Sequence, residues 1–339
     1  MNRSLMLWLL LLLLALGFAG GSTSAQEEKK GKPAESADLY TVPDTKDPEV
    51  LVTYLRKLQN FEPTTKRQAR EYDEKAPQAS RSAAELILKL VPDIKEPNHR
   101  LAKFVLLGNE IQSLNGAEPS NILKTGKNVV DYLAKAETIG DDEIGLLTML
   151  ADTVENQAPD EVGVKLLPQI ASLLAKSEHK EIKAQAKMLE GVVRRLQLPG
   201  NEMKLSGTTY QGKPFELSSL KGKVVLVDFW ATWCGFCIKE FPHVKELHAA
   251  YKDRGFEVVG VSLDESREDL DAFLKEDKLP WIVLHEEKLG GQNPAAAEYG
   301  ISGLPTVALI GKDGKVITFD ARGEQLDEHL KKLLGPVKP

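Results

Sequence analysis

An α/β domain preceded by an all-α domain of helical hairpins is the fold class this sequence predicts. Three observations predict it. From Asp47 to Leu198, apolar residues recur at helical spacing. Beyond Leu198-Pro199-Gly200-Asn201, short apolar runs of strand length alternate with helical ones. The only two cysteines among 339 residues, Cys234 and Cys237, sit three apart, where a strand-like run gives way to a helix-like one.

The first residues read as a targeting segment rather than as fold. Arg3 precedes an apolar stretch from Leu5 to Leu16, and small residues lead to Ala25. A basic start, a short apolar core and a small-x-small end make a secretory signal over 1–25, with cleavage expected after Ala25. An uncleaved membrane anchor is the alternative, although the stretch is shorter than the ~20 residues a span needs. No cysteine lies near the signal to take a lipid. Residues 26–46 are polar, with scattered prolines and no period, which predicts a disordered linker. Export to the periplasm or cell envelope places the cysteines where disulfides persist, so a reduced pair there needs a dedicated donor.

The helical domain spans 47–198. Leu51, Tyr54, Leu55 and Leu58 fall at i, i+3, i+4 and i+7. Leu101, Phe104, Val105 and Ile111 carry such a stripe in a later segment, and amphipathic runs follow over 129–133, 144–154, 162–174 and 182–196. The breaks carry helix punctuation at Glu96-Pro97-Asn98, Asn115-Gly116, Gly140-Asp141 and Ala158-Pro159-Asp160. Helices joined by short loops predict stacked hairpins, a bundle or a short solenoid, with no repeat signature.

The second domain spans 201–339. Residues 204–210 and 213–217 flank Gln211-Gly212, a hairpin signal. Residues 224–230 form a continuous apolar run, as a strand buried on both faces would. A helix is expected to about Arg254, a second buried strand over 256–263, a helix over 268–275 and a short strand over 281–284. Residues 306–310 and 315–319 flank Lys312-Asp313-Gly314 and predict a tight hairpin. A last helix covers roughly 324–334.

A cysteine pair at i and i+3 between a strand and a helix is the sequence form of a dithiol/disulfide redox centre. With no third cysteine, the chain has no internal relay, and its electrons come from another molecule. Cys234 is expected at the helix N-terminus, where unpaired N–H groups and the helix dipole stabilise a thiolate. Lowering a thiol pKa from about 8.5 to about 7 raises the thiolate fraction some 15-fold at neutral pH, and the loss of nucleophilicity returns about 5-fold of that. Speed of attack is therefore not the main gain. A stabilised thiolate is a better leaving group, and it shifts the redox equilibrium. Cys237, one turn on, is expected to be less exposed and to resolve the mixed disulfide. Asp228 is the candidate acceptor for its proton: a carboxylate inside an apolar strand is costly without a task, and burial raises its pKa towards neutrality. The alternative is an exposed aspartate on an edge strand.

The run Val227-Asp228-Phe229-Trp230-Ala231-Thr232-Trp233-Cys234-Gly235-Phe236-Cys237 closely resembles the thioredoxin-family active site. The following Lys239-Glu240-Phe241-Pro242, the later Gly303-Leu304-Pro305-Thr306 and the export signal resemble the TlpA/ResA-like branch of thiol-disulfide oxidoreductases. The resemblance covers about 204–336 and implies a thioredoxin-like fold there. It implies Cys234 as the attacking thiol, Cys237 as the resolving one and a redox disulfide between them. It implies Pro305 as a cis-proline packed against the disulfide, with Leu304 presenting backbone to an extended substrate. Glu240 matches an acidic residue of that branch near the site; a solvated first-turn residue is its alternative. Asp228 matches the buried acid of thioredoxin, where the branch often has asparagine. Trp233 is expected to shield the pair or to pack. The departure is Gly235-Phe236, one lever on a range of about −270 to −120 mV, or roughly 7 kcal/mol.

The function expected is reduction of protein disulfides by an exported oxidoreductase. Its partners would be disulfide- or thiol-containing proteins and a separate electron donor, membrane-bound donors among the candidates. The dithiol carries the electrons, and no cofactor or metal is predicted. A zinc site needs four ligands, and His243 and His248 would have to supplement the thiols. A peroxidase would need Thr three residues before its cysteine, whereas Thr232 stands two before Cys234. An adaptor, its helical domain binding one partner, is the reading from another class. The net charge of −6 argues against a nucleic-acid partner.

Overall fold

A computed structural model describes residues 39–136, 138–286 and 293–337. The expected secretory signal and most of the expected linker lie outside them. Two compact units divide between Lys183 and Ala184.

The N-terminal unit is helical. Its helices are α1 (Pro48–Gln59), α2 (Lys66–Leu90), α3 (Pro97–Gln112), α4 (Pro119–Leu133), α5 (Asp141–Gln157) and α6 (Asp160–Leu174), and α7 (Lys180–Leu196) begins there. Prolines stand at the first positions of α1, α3 and α4, where a missing N–H costs nothing. Thr65 and Gln68 form a capping box that starts α2. Leu51, Leu55 and Leu58 of α1 bury against Ala76, Ala79, Ala83 and Ile87 of α2. This face of α2 is built mostly of alanines rather than large apolar side chains. Within the expected linker, Leu39 is buried and the Tyr40 ring meets Tyr72 edge-on at 6.5 Å, so packed chain begins before the helical period does. Arg100 of α3 pairs with Glu143 of α5, a carboxylate only 2% exposed that also accepts from Gly140 N at 3.0 Å.

The C-terminal unit holds the rest of α7 and a mixed sheet of order β5-β4-β3-β6-β7. Its strands are β3 (Val224–Trp230), β4 (Phe256–Ser262), β5 (Ile282–Leu284), β6 (Thr306–Ile310) and β7 (Val316–Thr318); β1 (Ser206–Thr208) and β2 (Pro214–Glu216) form a separate hairpin. β3 is parallel to β4 and antiparallel to β6. The helices are α8 (Gly235–Tyr251), α9 (Arg267–Glu276), α10 (Pro294–Glu298) and α11 (Glu324–Leu334). The strand, hairpin and helix expectations therefore stand, and α10 is an addition, capped by the Asn293 side chain.

Every residue of β3 is buried because the strand is central and both its faces are covered. Side chains alternate between faces. Val225, Val227 and Phe229 pack with Leu205, Phe215, Tyr299 and Ile301. Leu226 and Trp230 pack with Cys234, Cys237, Phe241 and Trp281 on the other. Trp230 and Phe241 meet edge-on with ring centres 5.0 Å apart, a geometry that adds about 0.5–1.5 kcal/mol beyond area burial.

Candidate active site

Cys234 and Cys237 are joined by a disulfide. β3 ends at Trp230, and Ala231–Cys234 turns the chain into α8: Cys234 N donates to Ala231 O at 3.0 Å. Cys234 is the N-cap of α8, its Sγ accepting from Cys237 N at 3.2 Å. A sulfur there takes one of the N–H groups that a helix start leaves without a partner. Cys234 is 6% exposed and Cys237 1%, in the order the sequence predicts. Pro242 lies inside α8 and has no N–H to give the Ile238 carbonyl one turn back.

Asp228 belongs to the β3 face that carries Leu226 and Trp230, the face that packs on the cysteines. It is buried on a central strand, so the edge-strand alternative does not apply. Its Oδ1 has no hydrogen-bond partner among the described residues. Burial, with a smaller contribution from Glu240, pushes its pKa up to about 7, against the opposing pull of Arg322. Glu240 is not simply solvated: Arg322 Nε lies 3.0 Å from both its oxygens, and Arg322 Nη2 adds a shorter contact.

The Leu304-Pro305 peptide is cis, and Leu304 packs against the clusters on both sides of the sheet. Trp233 and Phe236 are 68% and 70% exposed, so neither is packed in the core, and Lys239 Nζ stands 5.7 Å from the Phe236 ring centre. They flank the disulfide as exposed aromatic surface. His243 pairs with Asp327 and His248 with Glu257, so each imidazole is engaged away from the thiols.

Two groups escaped the sequence reading. Arg322 precedes α11, 82 residues from Glu240, and no local pattern announces it. Asp264, buried just past β4, accepts from Thr232 N at 2.9 Å, Thr232 Oγ1 at 2.6 Å and Ser262 Oγ at 2.8 Å. It thereby grips the turn that presents Cys234. A polar Ser-x-Asp at the end of a buried strand was the available signal.

A helix-capping disulfide on a mixed sheet, with a buried acid on the same face and a cis-proline loop before β6, defines a thioredoxin-like thiol-disulfide oxidoreductase. Residues 195–333 match the Redoxin family. Thiol-disulfide oxidoreductase ResA of Bacillus thuringiensis is 39% identical over 132 residues, 39% of this chain and 73% of that protein. ResA of Bacillus subtilis is 34% identical over 128 residues, 38% of this chain and 69% of that protein. The thioredoxin domain of a Bacteroides vulgatus thiol-disulfide oxidoreductase aligns at 32% identity over 39% of this chain and 94% of its own, with a TM-score of 0.36. Over its C-terminal part the chain belongs to the TlpA/ResA-like thiol-disulfide oxidoreductases.

Proposed function

We propose that the chain is an exported enzyme that reduces disulfides in proteins, with Cys234 attacking and Cys237 resolving. The observation that carries this most is Asp228, buried on the cysteine face of β3 with its pKa near neutrality. The Cys234 thiolate attacks one sulfur of a substrate disulfide, and the other substrate sulfur leaves as a thiol. Asp228 takes the Cys237 proton. The Cys237 thiolate then attacks Cys234 Sγ, and the second substrate sulfur leaves and is protonated. Two electrons and two protons pass to the substrate, and the Cys234–Cys237 disulfide results. A separate dithiol donor restores the reduced pair. Trp233, Leu304 and Pro305 form the substrate surface, and Glu240 acts on the site through the charge it places near Asp228.

Arg3, the apolar stretch after it and Ala25 support export. Among the described residues no helix is long and apolar enough to cross a membrane. The helical domain expected over 47–198 gives up its last stretch, from Ala184, to the unit that carries the redox site. The test is the reduction potential of the Cys234–Cys237 couple in a glutathione buffer. A reductant lies below about −180 mV, whereas a value near about −120 mV would make the chain an oxidant and reverse the reading.

A further inference from the structure

Helix α7 makes a backbone-to-backbone contact with the segment that leads to Pro305. A methyl group built on Gly191 would stand 2.5 Å from Gly300 N and 2.7 Å from Ala297 O. One built on Gly300 would stand 2.3 Å from Val192 N and 2.7 Å from Met188 O, and Gly300 holds φ +58°. Only glycine fits at either position. Two arginines of α7 hold the residues just before Gly300. Arg194 Nε donates to Glu298 O at 2.8 Å and meets the Glu298 carboxylate at 3.2 Å. Arg195 Nε donates to Tyr299 O at 3.3 Å. Glu298, Tyr299 and Gly300 are thus each held by α7.

The loop that follows is anchored at its ends. Ile301 is buried, and Thr306 is fixed by its register with Phe229 in the sheet. Between them Ser302 and Gly303 are exposed, and the stretch has no regular structure. Together with Arg195, residues 300–306 line a cavity of about 310 Å³. The sheet sets the Thr306 end, and α7 sets the Gly300 end. The Redoxin match begins at residue 195, so Gly191 and Arg194 lie outside it.

We infer that α7 is a positioning element of the polypeptide-binding loop: its hold on residues 298–300 places the Leu304–Pro305 backbone, and so sets affinity for extended protein substrates. The inference rests on the substrate role given to Leu304 and Pro305 above. The contacts of Gly191 and Arg194, the two residues to be varied, fall on residues 297–300, whereas the turn that presents Cys234 is held by Asp264. Disturbing the α7 contacts should change docking of a polypeptide without changing thiol chemistry.

The test uses the full chain with dithiothreitol as electron source, insulin as the protein disulfide and cystamine as a small disulfide that needs no groove. Gly191→Ala forces the helix and loop apart. Arg194→Ala removes a partly exposed anchor and folds even if the first variant does not. The expected result is a severalfold rise in KM for insulin, with kcat for cystamine and the reduction potential at wild-type values. An unchanged insulin KM in Arg194→Ala and in a folded Gly191→Ala protein would overturn the inference. So would a parallel loss on both substrates, or a moved potential, which would make α7 a general scaffold. A wild-type chain inactive on cystamine would instead remove the oxidoreductase reading, and the inference with it.

Discussion

Arg322 holds Glu240 across 82 residues of chain, its Nε standing 3.0 Å from each carboxylate oxygen. Both side chains are about a third exposed, so the pair adds little to stability by itself. Its consequence lies at Asp228, which feels Glu240 and Arg322 with opposite signs. The Glu240 hydrogen bond, in turn, holds Arg322 still more firmly protonated.

Removing either partner should therefore move Asp228 in opposite directions. Arg322→Met takes away the cation that favours the carboxylate, and the Asp228 titration moves up. Glu240→Gln takes away a negative charge and moves it down. Carbon-detected NMR of the Asp228 carboxyl measures both. Shifts of the same sign would show that the pair acts through packing rather than charge.

Stability should carry the mark of Asp228 as well. Its pKa rises from 3.8 to about 7 on folding, so the folded chain binds the proton more tightly than the unfolded one. The penalty is absent below about pH 4, grows as pH climbs towards 7, and reaches about 4 kcal/mol above it. Asp228→Asn cannot ionise and escapes this penalty. Urea unfolding at pH 5 and pH 8 should show the variant gaining about 2.5 kcal/mol on wild type between the two. A difference independent of pH would mean that Asp228 titrates normally. The same substitution should slow closure of the Cys234–Cys237 disulfide more than the first attack.

The two cysteines should fail differently. Cys234→Ala should abolish exchange, because no nucleophile is left at the helix start. Cys237→Ala should attack and then stall, accumulating mixed disulfides visible on a non-reducing gel. Full turnover in the Cys234 variant would refute the assignment.

The grip of Asp264 on Thr232 is separable from its charge. Thr232→Val keeps the backbone N–H bond to Asp264 and removes the 2.6 Å hydroxyl bond. A buried acceptor left short costs about 1–3 kcal/mol. The variant should melt earlier, and reduced Cys234 should alkylate more slowly at neutral pH. Thr232→Ser should restore both. A serine variant no better than valine would point to lost methyl packing instead.

What could be read from the sequence was what local chemistry encodes. The apolar run over β3, interrupted only by Asp228, announced a strand buried on both faces, the acid within it announced a buried carboxylate, and the i, i+3 cysteines on a helix start announced a dithiol/disulfide pair. The partners that tune the site come from elsewhere in the chain. Arg322 and Asp264 reach Glu240 and Thr232 only because the sheet order brings β7's exit and β4's end beside the α8 start. Trp233 shows the complementary limit. Its large apolar ring beside Cys234 fits a shield over the pair or packing in the core, and only the fold, which leaves it exposed, sets packing aside. The contact of Gly191 with Gly300 is likewise invisible in either local sequence.

The ring closed by Cys234 and Cys237 spans a sequence separation of 3. So short a loop restrains the unfolded chain by about 2 kcal/mol, against about 4.7 kcal/mol for a hundred-residue loop. The apolar layers around β3, rather than the sulfur bridge, keep the scaffold standing. The bridge can open and close through cycle after cycle while its housing stays put, as a latch does in a fixed frame.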